Sequence, residues 1–204
     1  HVMFNSEYLL TARCWRWLCR WRHRRGYGVH SPYAFHFITD VVYESSAYYA
    51  YAPLHRRLTA ANWYAMRYDT LCGLSEKDIR LLFRLVNFCQ PSCFLFHGAS
   101  EVLVDMFRAA APHAEFLAYL PSEVPTRVFI YEDKAHRCLS SLPSIFPFGS
   151  MMVVRGIHRN AAAETAWKTL KQRAEVTLTF DLGRFGIALS VEKMAKQDYI
   201  ICYF

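Results

Sequence analysis

The sequence predicts an α/β sandwich built on a mostly parallel sheet with an antiparallel edge. From residue 93 onward, short apolar runs alternate with segments of helical periodicity, which is the order of strands and helices in a parallel sheet. Residues 176–204 hold strand-rich runs with no helical segment between them, which is typical of an antiparallel edge. Hydrophobic residues make up 53% of the 204 residues, enough to fill one core of ordinary size.

Before residue 75 the sequence favours helices. Residues 6–24 predict a helix that ends near Gly26 and Gly28. Pro32 suits a first helical turn, so a second helix is expected to run from there to about Tyr43. Residues 45–72 are helical or irregular. We therefore expect a helical N-terminal extension over residues 1–74 and an α/β domain over residues 75–204.

The elements of that α/β domain follow in order from Ser75. Ser75 and Asp78 have the spacing of a helix-capping box, and apolar residues at helical spacing follow until Pro91 ends the helix. The remaining predicted elements are a strand at 93–96, a helix at 101–110, strands at 115–120, 127–131 and 151–154, a helix at 161–171, and strands at 176–182, 186–191 and 199–204.

The net charge of +7 is concentrated near the N-terminus. Residues 11–25 carry arginines interleaved with tryptophans: Arg13, Arg16, Arg20, Arg22, Arg24 and Arg25, with Trp15, Trp17 and Trp21. Such a segment either binds nucleic acid or an anionic membrane surface, or packs its tryptophans on the domain or a partner subunit. We favour packing, because the basic run is short and the rest of the chain is charge-balanced.

Apolar runs and cysteines bear on the location of the protein. No run approaches the roughly 18 apolar residues of a membrane span, so no transmembrane helix is expected. The seven cysteines are scattered without zinc-site spacing, which predicts reduced thiols in a cytoplasmic protein and no metal site.

Five segments carry a pattern of motifs in a fixed order. They are Gly28–Tyr33 (Gly-Val-His-Ser-Pro-Tyr); Leu81–Asn87; Val128–Ile130; Ile157-His158 with Glu164, Ala166 and Trp167; and Asp181-Leu182 with Gly186 and Lys196-Gln197. Together they resemble a bacterial family of class I S-adenosylmethionine (SAM) dependent methyltransferase-like proteins. The resemblance spans nearly the whole chain and implies a Rossmann-like class I methyltransferase sandwich with a terminal antiparallel hairpin.

The residues that would hold SAM after the first strand are partly replaced. The family has an acidic residue followed by Gly-x-Ser-x-Gly. Here Phe96 stands in the place of the acid, Gly98 and Ser100 remain, and Val102 stands for the second glycine. A side chain at that glycine obstructs the close approach of a ligand to the backbone.

The ribose and catalytic positions are also changed. Leu120 stands for the carboxylate that would hold the ribose hydroxyls, with Glu123 as the nearest substitute. Tyr131 replaces an acid after the fourth strand, with Glu132 and Asp133 following it, and Arg155-Gly156 replaces a pair of acids after the fifth. His158 remains as the candidate catalytic base. The resemblance thus implies a vestigial cofactor site of Gly98, Ser100 and Glu123.

The chain is shortened in the middle. Seven residues, Pro121–Arg127, connect the second predicted strand to the one that resembles the family's fourth, where a helical crossover needs about a dozen or more. If both strands flank the first, the chain must cross about 19 Å, and seven residues reach about 25 Å when extended. We therefore expect an extended strap and loss of cover on one sheet face, compensated by a dimer, a protein partner or the Trp-rich N-terminal segment.

Three functions remain open from the sequence. The favoured one is a degenerate methyltransferase-fold protein without methyl transfer, acting as an interaction or regulatory module and needing no cofactor. The second is an active SAM-dependent O- or N-methyltransferase of a small molecule. The third is a nucleic-acid or membrane-surface binder that uses the basic N-terminal segment.

Overall fold

The fold is seen in a computed structural model that describes residues 29–53, 55, 56, 59, 60, 74–97, 101–118, 126–143 and 145–203. The predicted helix over residues 6–24 and the Arg/Trp-rich segment lie outside these residues.

The described chain begins with helices, mixes helices and strands in its middle, and ends with strands. Helix α1 spans Pro32–Phe37 and continues as a π-helical turn at Ile38–Val42. The elements that follow are α2 (Glu76–Cys89), β1 (Cys93–His97), α3 (Glu101–Ala110), β2 (Glu115–Leu117), β3 (Val128–Glu132), a 3-10 turn (Ala135–Arg137), α4 (Cys138–Ser141), β4 (Met151–Arg155), α5 (Ala161–Gln172), β5 (Leu178–Asp181), β6 (Phe185–Leu189) and β7 (Gln197–Ile200).

Local sequence signals explain how α2 begins and ends. The Ser75 hydroxyl accepts a hydrogen bond from the Asp78 backbone N–H at 3.2 Å, and the Asp78 carboxylate accepts one from the Ser75 N–H at 2.8 Å. The predicted capping box is therefore present. At the other end Gln90 adopts the left-handed conformation with φ 44°, which turns the chain out of the helix just before Pro91.

The strands form one sheet in the order β2-β1-β3-β4-β6-β5-β7. Every pairing is parallel except those of β6, which runs antiparallel to β4 and β5. The predicted α/β architecture with a mostly parallel sheet and an antiparallel C-terminal hairpin is confirmed.

The last strand differs from the prediction. It spans Gln197–Ile200, not residues 199–204, and it pairs parallel with β5 at the edge of the sheet. Because β6 already occupies one side of β5, the chain crosses over after β6, turns at Lys193 with φ 55°, and joins the free side of β5.

The sheet packs helices on both faces. Alternate side chains, among them Phe94, Phe129 and Phe180, form one core with α1, α2 and α3. The intervening side chains form a second core with α4 and α5. The rings of Phe37 on α1 and Phe180 on β5 lie 4.6 Å apart, so the described helix before residue 74 shares a core with the sheet.

The strands β2 and β3 flank β1 on its two sides. This is the arrangement for which an extended strap is long enough. Cys93 and Leu95, on the face that would lack a crossover helix, are only 3% and 4% exposed, and Leu117 packs against the same core. On this face β1 is therefore covered and Leu117 of β2 is partly buried, while residues 121–125 of the strap lie outside the described residues.

Among the helices that the structure describes, none combines the length and the apolar character needed to span a bilayer.

Candidate functional site

The carboxyl ends of β1, β3 and β4 meet at one edge of the sheet. The helix after β1 packs with Phe94 on one face, and the turn and helix after β3 pack with Leu95 on the other. Such a switch point between neighbouring strands is where open α/β sheets bind ligands. The candidate site is therefore at these strand ends.

Phe96 at the end of β1 stacks within an aromatic cluster. Its ring lies 4.7 Å from that of Phe107 and 5.5 Å from that of Phe116, with Tyr131 at 6.5 Å. The residue that stands in place of an acid in the sequence resemblance is therefore an apolar ring that packs against α3 and the neighbouring strands. Val102 also packs against this core.

The predicted cofactor residues Gly98, Ser100 and Glu123 lie outside the described residues, as does Leu120. Their assignment to a SAM site stays a prediction.

An ion pair closes the ends of β3 and β4. Arg155 Nη1 lies 2.8 Å from Asp133 Oδ1, and each side chain is 17% exposed. The Tyr131 hydroxyl donates to the same carboxylate oxygen at 3.3 Å. The acid that follows β3 thus has its charge compensated from within the chain, because the last residue of β4 is an arginine where the resembled family has acids.

Glu132 is a buried acid that points to the opposite face. Its side chain is 1% exposed. One carboxylate oxygen accepts from the Lys134 backbone N–H at 3.0 Å, and the other accepts from the Ser141 hydroxyl at 2.5 Å. His97 Nδ1 lies 3.6 Å from the second oxygen. Sequence reasoning missed this pair, although strand alternation puts His97 on the same face as Cys93 and Leu95.

His158, the predicted catalytic base, lies between two carboxylates. Its Nε2 is 2.7 Å from Asp181 Oδ2 and its Nδ1 is 3.3 Å from Glu164 Oε1. Both ring nitrogens therefore face carboxylates of the chain itself. The contacts link the turn after β4 to β5 and to α5, which favours a structural role.

Other residues of the resemblance meet close to His158. The ring of Trp167 lies on Gly186, where a Cβ would come within 2.7 Å of Trp167 Cη2. Glu164 and Trp167 on α5 therefore lie close to Asp181 and Gly186 on the hairpin. These four residues hold the helix against the sheet.

The His-Ser-Pro segment is likewise accounted for by folding. The Ser31 hydroxyl caps α1 by accepting from the Ala34 N–H at 3.3 Å, and Pro32 occupies the first turn. Tyr33 packs edge-on against Phe88 of α2, with ring centroids 6.4 Å apart. The contacts of Ser31, Pro32 and Tyr33 therefore support a role of this segment in the fold.

A cleft of about 250 Å³ lies beside His158, between α5 and the strands β5 and β7. One of its lysines is paired with one of its acids: Lys171 Nζ lies 3.3 Å from Asp198, and the Thr179 hydroxyl donates to the same carboxylate at 2.5 Å. Together with the contacts of His158, these pairs engage the three acids that line the cleft, so we assign it no ligand.

The described cysteines are buried. Burial raises the pKa of the Cys89 thiol to about 12, and burial with the nearby Glu132 carboxylate raises the pKa of Cys138 to about 12. Because the thiolate is the nucleophile, neither thiol is suited to covalent catalysis.

Within the described ranges, no group of three or more His, Cys, Asp or Glu side chains is arranged to hold a metal ion. Comparisons with protein-family models, with curated proteins and with solved structures found no match to this chain.

Proposed function

We propose that this protein is a degenerate relative of class I SAM-dependent methyltransferases that transfers no methyl group and acts as an interaction or regulatory module. The sheet supports the relationship, because β1 lies between β2 and β3 and the C-terminal strands form an antiparallel hairpin. Both features agree with what the resemblance implies.

The ion pair between Asp133 and Arg155 carries the proposal. At 2.8 Å, the guanidinium neutralises the carboxylate that follows β3. An acid engaged in this way is not available to a metal ion or to a substrate hydroxyl. The stacking of Phe96 into the aromatic cluster adds to this, because the end of β1 then offers no carboxylate to a cofactor.

An exposed apolar patch supports the interaction role. Ile145 and Phe148, in the loop before β4, are 60% and 59% exposed, and Phe88 at the end of α2 is 42% exposed. The Cys89 thiol donates to the Gly149 carbonyl at 3.4 Å, which brings the chain neighbours Phe88 and Phe148 to the same region. Exposed apolar side chains that lie close together mark interaction surfaces, and we propose that these three form one such patch at the amino-terminal edge of the sheet.

Calorimetric titration with SAM tests the loss of cofactor binding. We expect no saturable heat from this chain, while a known class I methyltransferase titrated in the same buffer gives its normal isotherm. Binding at about 1 μM, equivalent to about −8 kcal/mol, would contradict the proposal and favour an active small-molecule methyltransferase that uses Gly98, Ser100 and Glu123.

Sedimentation velocity over a range of concentrations tests the interaction surface. We propose self-association through the patch, so Phe148→Ser should shift the protein towards monomer. The control is Tyr49→Ser, which removes an aromatic ring that is 82% exposed and should leave the association unchanged. A wild-type protein that stays monomeric at every concentration would contradict self-association through this patch.

A further inference from the structure

His97 and Glu132 lie side by side at the carboxyl ends of two neighbouring parallel strands. The register of β1 and β3 places them as direct partners, and His97 Nδ1 is 3.6 Å from Glu132 Oε2. Nδ1 is buried and has no hydrogen-bond partner among the described residues. We propose that the two form an imidazole–carboxylate pair that receives a proton from a small ligand bearing a hydroxyl or amide hydrogen.

The position of the pair favours a ligand site. The chain turns to opposite faces of the sheet after β1 and after β3, so the two residues border the crevice in which open α/β sheets bind ligands. His97 is 35% exposed whereas Glu132 is 1% exposed. The imidazole is therefore the member of the pair that a ligand can reach.

Glu132 is held rigidly enough to orient the ring. Its two oxygens accept from the Lys134 N–H and the Ser141 hydroxyl, so the carboxylate cannot turn away from β1. The 3.6 Å between Nδ1 and Oε2 is slightly longer than a hydrogen bond, and catalytic hydrogen bonds commonly tighten on ligand binding. With its hydrogen on Nδ1, the ring presents the Nε2 lone pair outward.

The surroundings of the His97 ring differ from those of the His158 ring in the number of carboxylates that face the ring nitrogens. Both nitrogens of His158 face carboxylates, whereas a single carboxylate contacts His97 in the described structure. In the proposed step, the ligand hydrogen passes to His97 Nε2 while the Nδ1 hydrogen remains directed at Glu132. The products are a ligand anion and the His97 imidazolium, and the neighbouring Glu132 carboxylate stabilises the imidazolium.

Diethyl pyrocarbonate is a direct probe of an accessible imidazole lone pair. Its reaction acylates a ring nitrogen and releases ethanol and carbon dioxide, and peptide mass spectrometry reads each histidine separately. We expect His97 in the wild-type protein to react at a rate comparable to the exposed His113 and His136, and about tenfold or more faster than His158, whose two ring nitrogens each face a carboxylate. A His97 that reacts no faster than His158 would overturn the proposal.

Nitrogen-15 NMR of the histidine side chains tests the role of Glu132. We expect neutral His97 to carry its hydrogen on Nδ1, and Glu132→Gln to reduce that tautomer preference about tenfold, because a hydrogen bond to a charged acceptor is about twice as strong as a neutral one. A preference for hydrogen on Nε2 in the wild-type protein would also overturn the proposal. Both measurements on the wild-type protein test the proposal even if the Glu132→Gln variant fails to fold. Neither measurement depends on whether the protein binds SAM in the calorimetric titration.

Discussion

The indole ring of Trp167 on α5 lies directly against the backbone of Gly186 on β6. A Cβ at Gly186 would meet three atoms of the ring at 2.7 to 2.9 Å, closer than side-chain atoms pack in folded proteins. The helix can rest on the hairpin at this depth because residue 186 has no side chain.

Replacement of Gly186 by alanine should therefore destabilise the protein by about 1–3 kcal/mol, the usual cost of overpacking a core. Urea unfolding followed by circular dichroism measures the change. Trp167→Leu is the matched control, because it removes the obstructing ring: in that background Gly186→Ala should cost clearly less. Equal costs in both backgrounds would show that the two residues do not interact.

Arg84 is a buried cation that serves as a helix cap. Its Nε donates to the Val41 carbonyl at 2.7 Å and its Nη2 to the Val42 carbonyl at 3.0 Å, which are carbonyls at the end of the π-helical turn. Arg84→Leu should cost about 2–4 kcal/mol, because both carbonyls lose their donors.

Arg84→Lys is the second variant for this site. A single ammonium cannot reproduce the fork of the guanidinium, so we expect stability between those of wild type and Arg84→Leu. Guanidinium chloride unfolding ranks the three proteins. An Arg84→Leu protein as stable as wild type would contradict the capping role.

The buried thiols make stability fall in alkali. The pKa values of Cys89 and Cys138 are raised to about 12 in the folded protein, whereas unfolded cysteine has a pKa of about 8.5. Their stabilising contribution is complete below the unfolded pKa and is lost as pH rises towards the folded one. The slope approaches about 1.4 kcal/mol per pH unit for each thiol.

Cys89→Ala should flatten this dependence. The variant loses some packing at neutral pH, but its free energy of unfolding should decline less steeply than that of wild type between about pH 9 and 11. Urea unfolding at a series of pH values gives both slopes. Parallel curves would contradict a raised pKa of Cys89.

The contacts of His158 should contribute unequally to stability. Asp181 is 14% exposed and also accepts from the Gly183 N–H at 2.7 Å, whereas Glu164 is 42% exposed. We expect Asp181→Asn to cost about 1–3 kcal/mol and Glu164→Gln less than about 1 kcal/mol, because exposed ion pairs contribute little. Thermal unfolding of the two variants measures both losses of stability. A larger loss for Glu164→Gln than for Asp181→Asn would refute the assignment of Asp181 as the stronger contact.

Features set by neighbouring residues could be predicted from the sequence. The capping box at Ser75 and the bounds of α3 at Glu101–Ala110 follow from hydrogen bonds and periodicity within a few residues. The mostly parallel sheet also followed, because strand and helix patterns alternate along the chain.

Features set by distant partners could not be predicted in the same way. Strand β7 pairs with β5 in parallel because β6 fills the other side, a choice that its own residues do not encode. His158 was identified, yet Asp181 comes to it from 23 residues away. His97 and Glu132 meet only through the register of β1 and β3.

The brevity of the two outermost strands limits how this protein can assemble. β2 has three residues and β7 has four, so each offers few main-chain groups to an incoming strand. Extension of the sheet from one molecule into the next would gain little, and fibre-like stacking is disfavoured. Any durable assembly of the described portion must therefore rely on contacts between side chains.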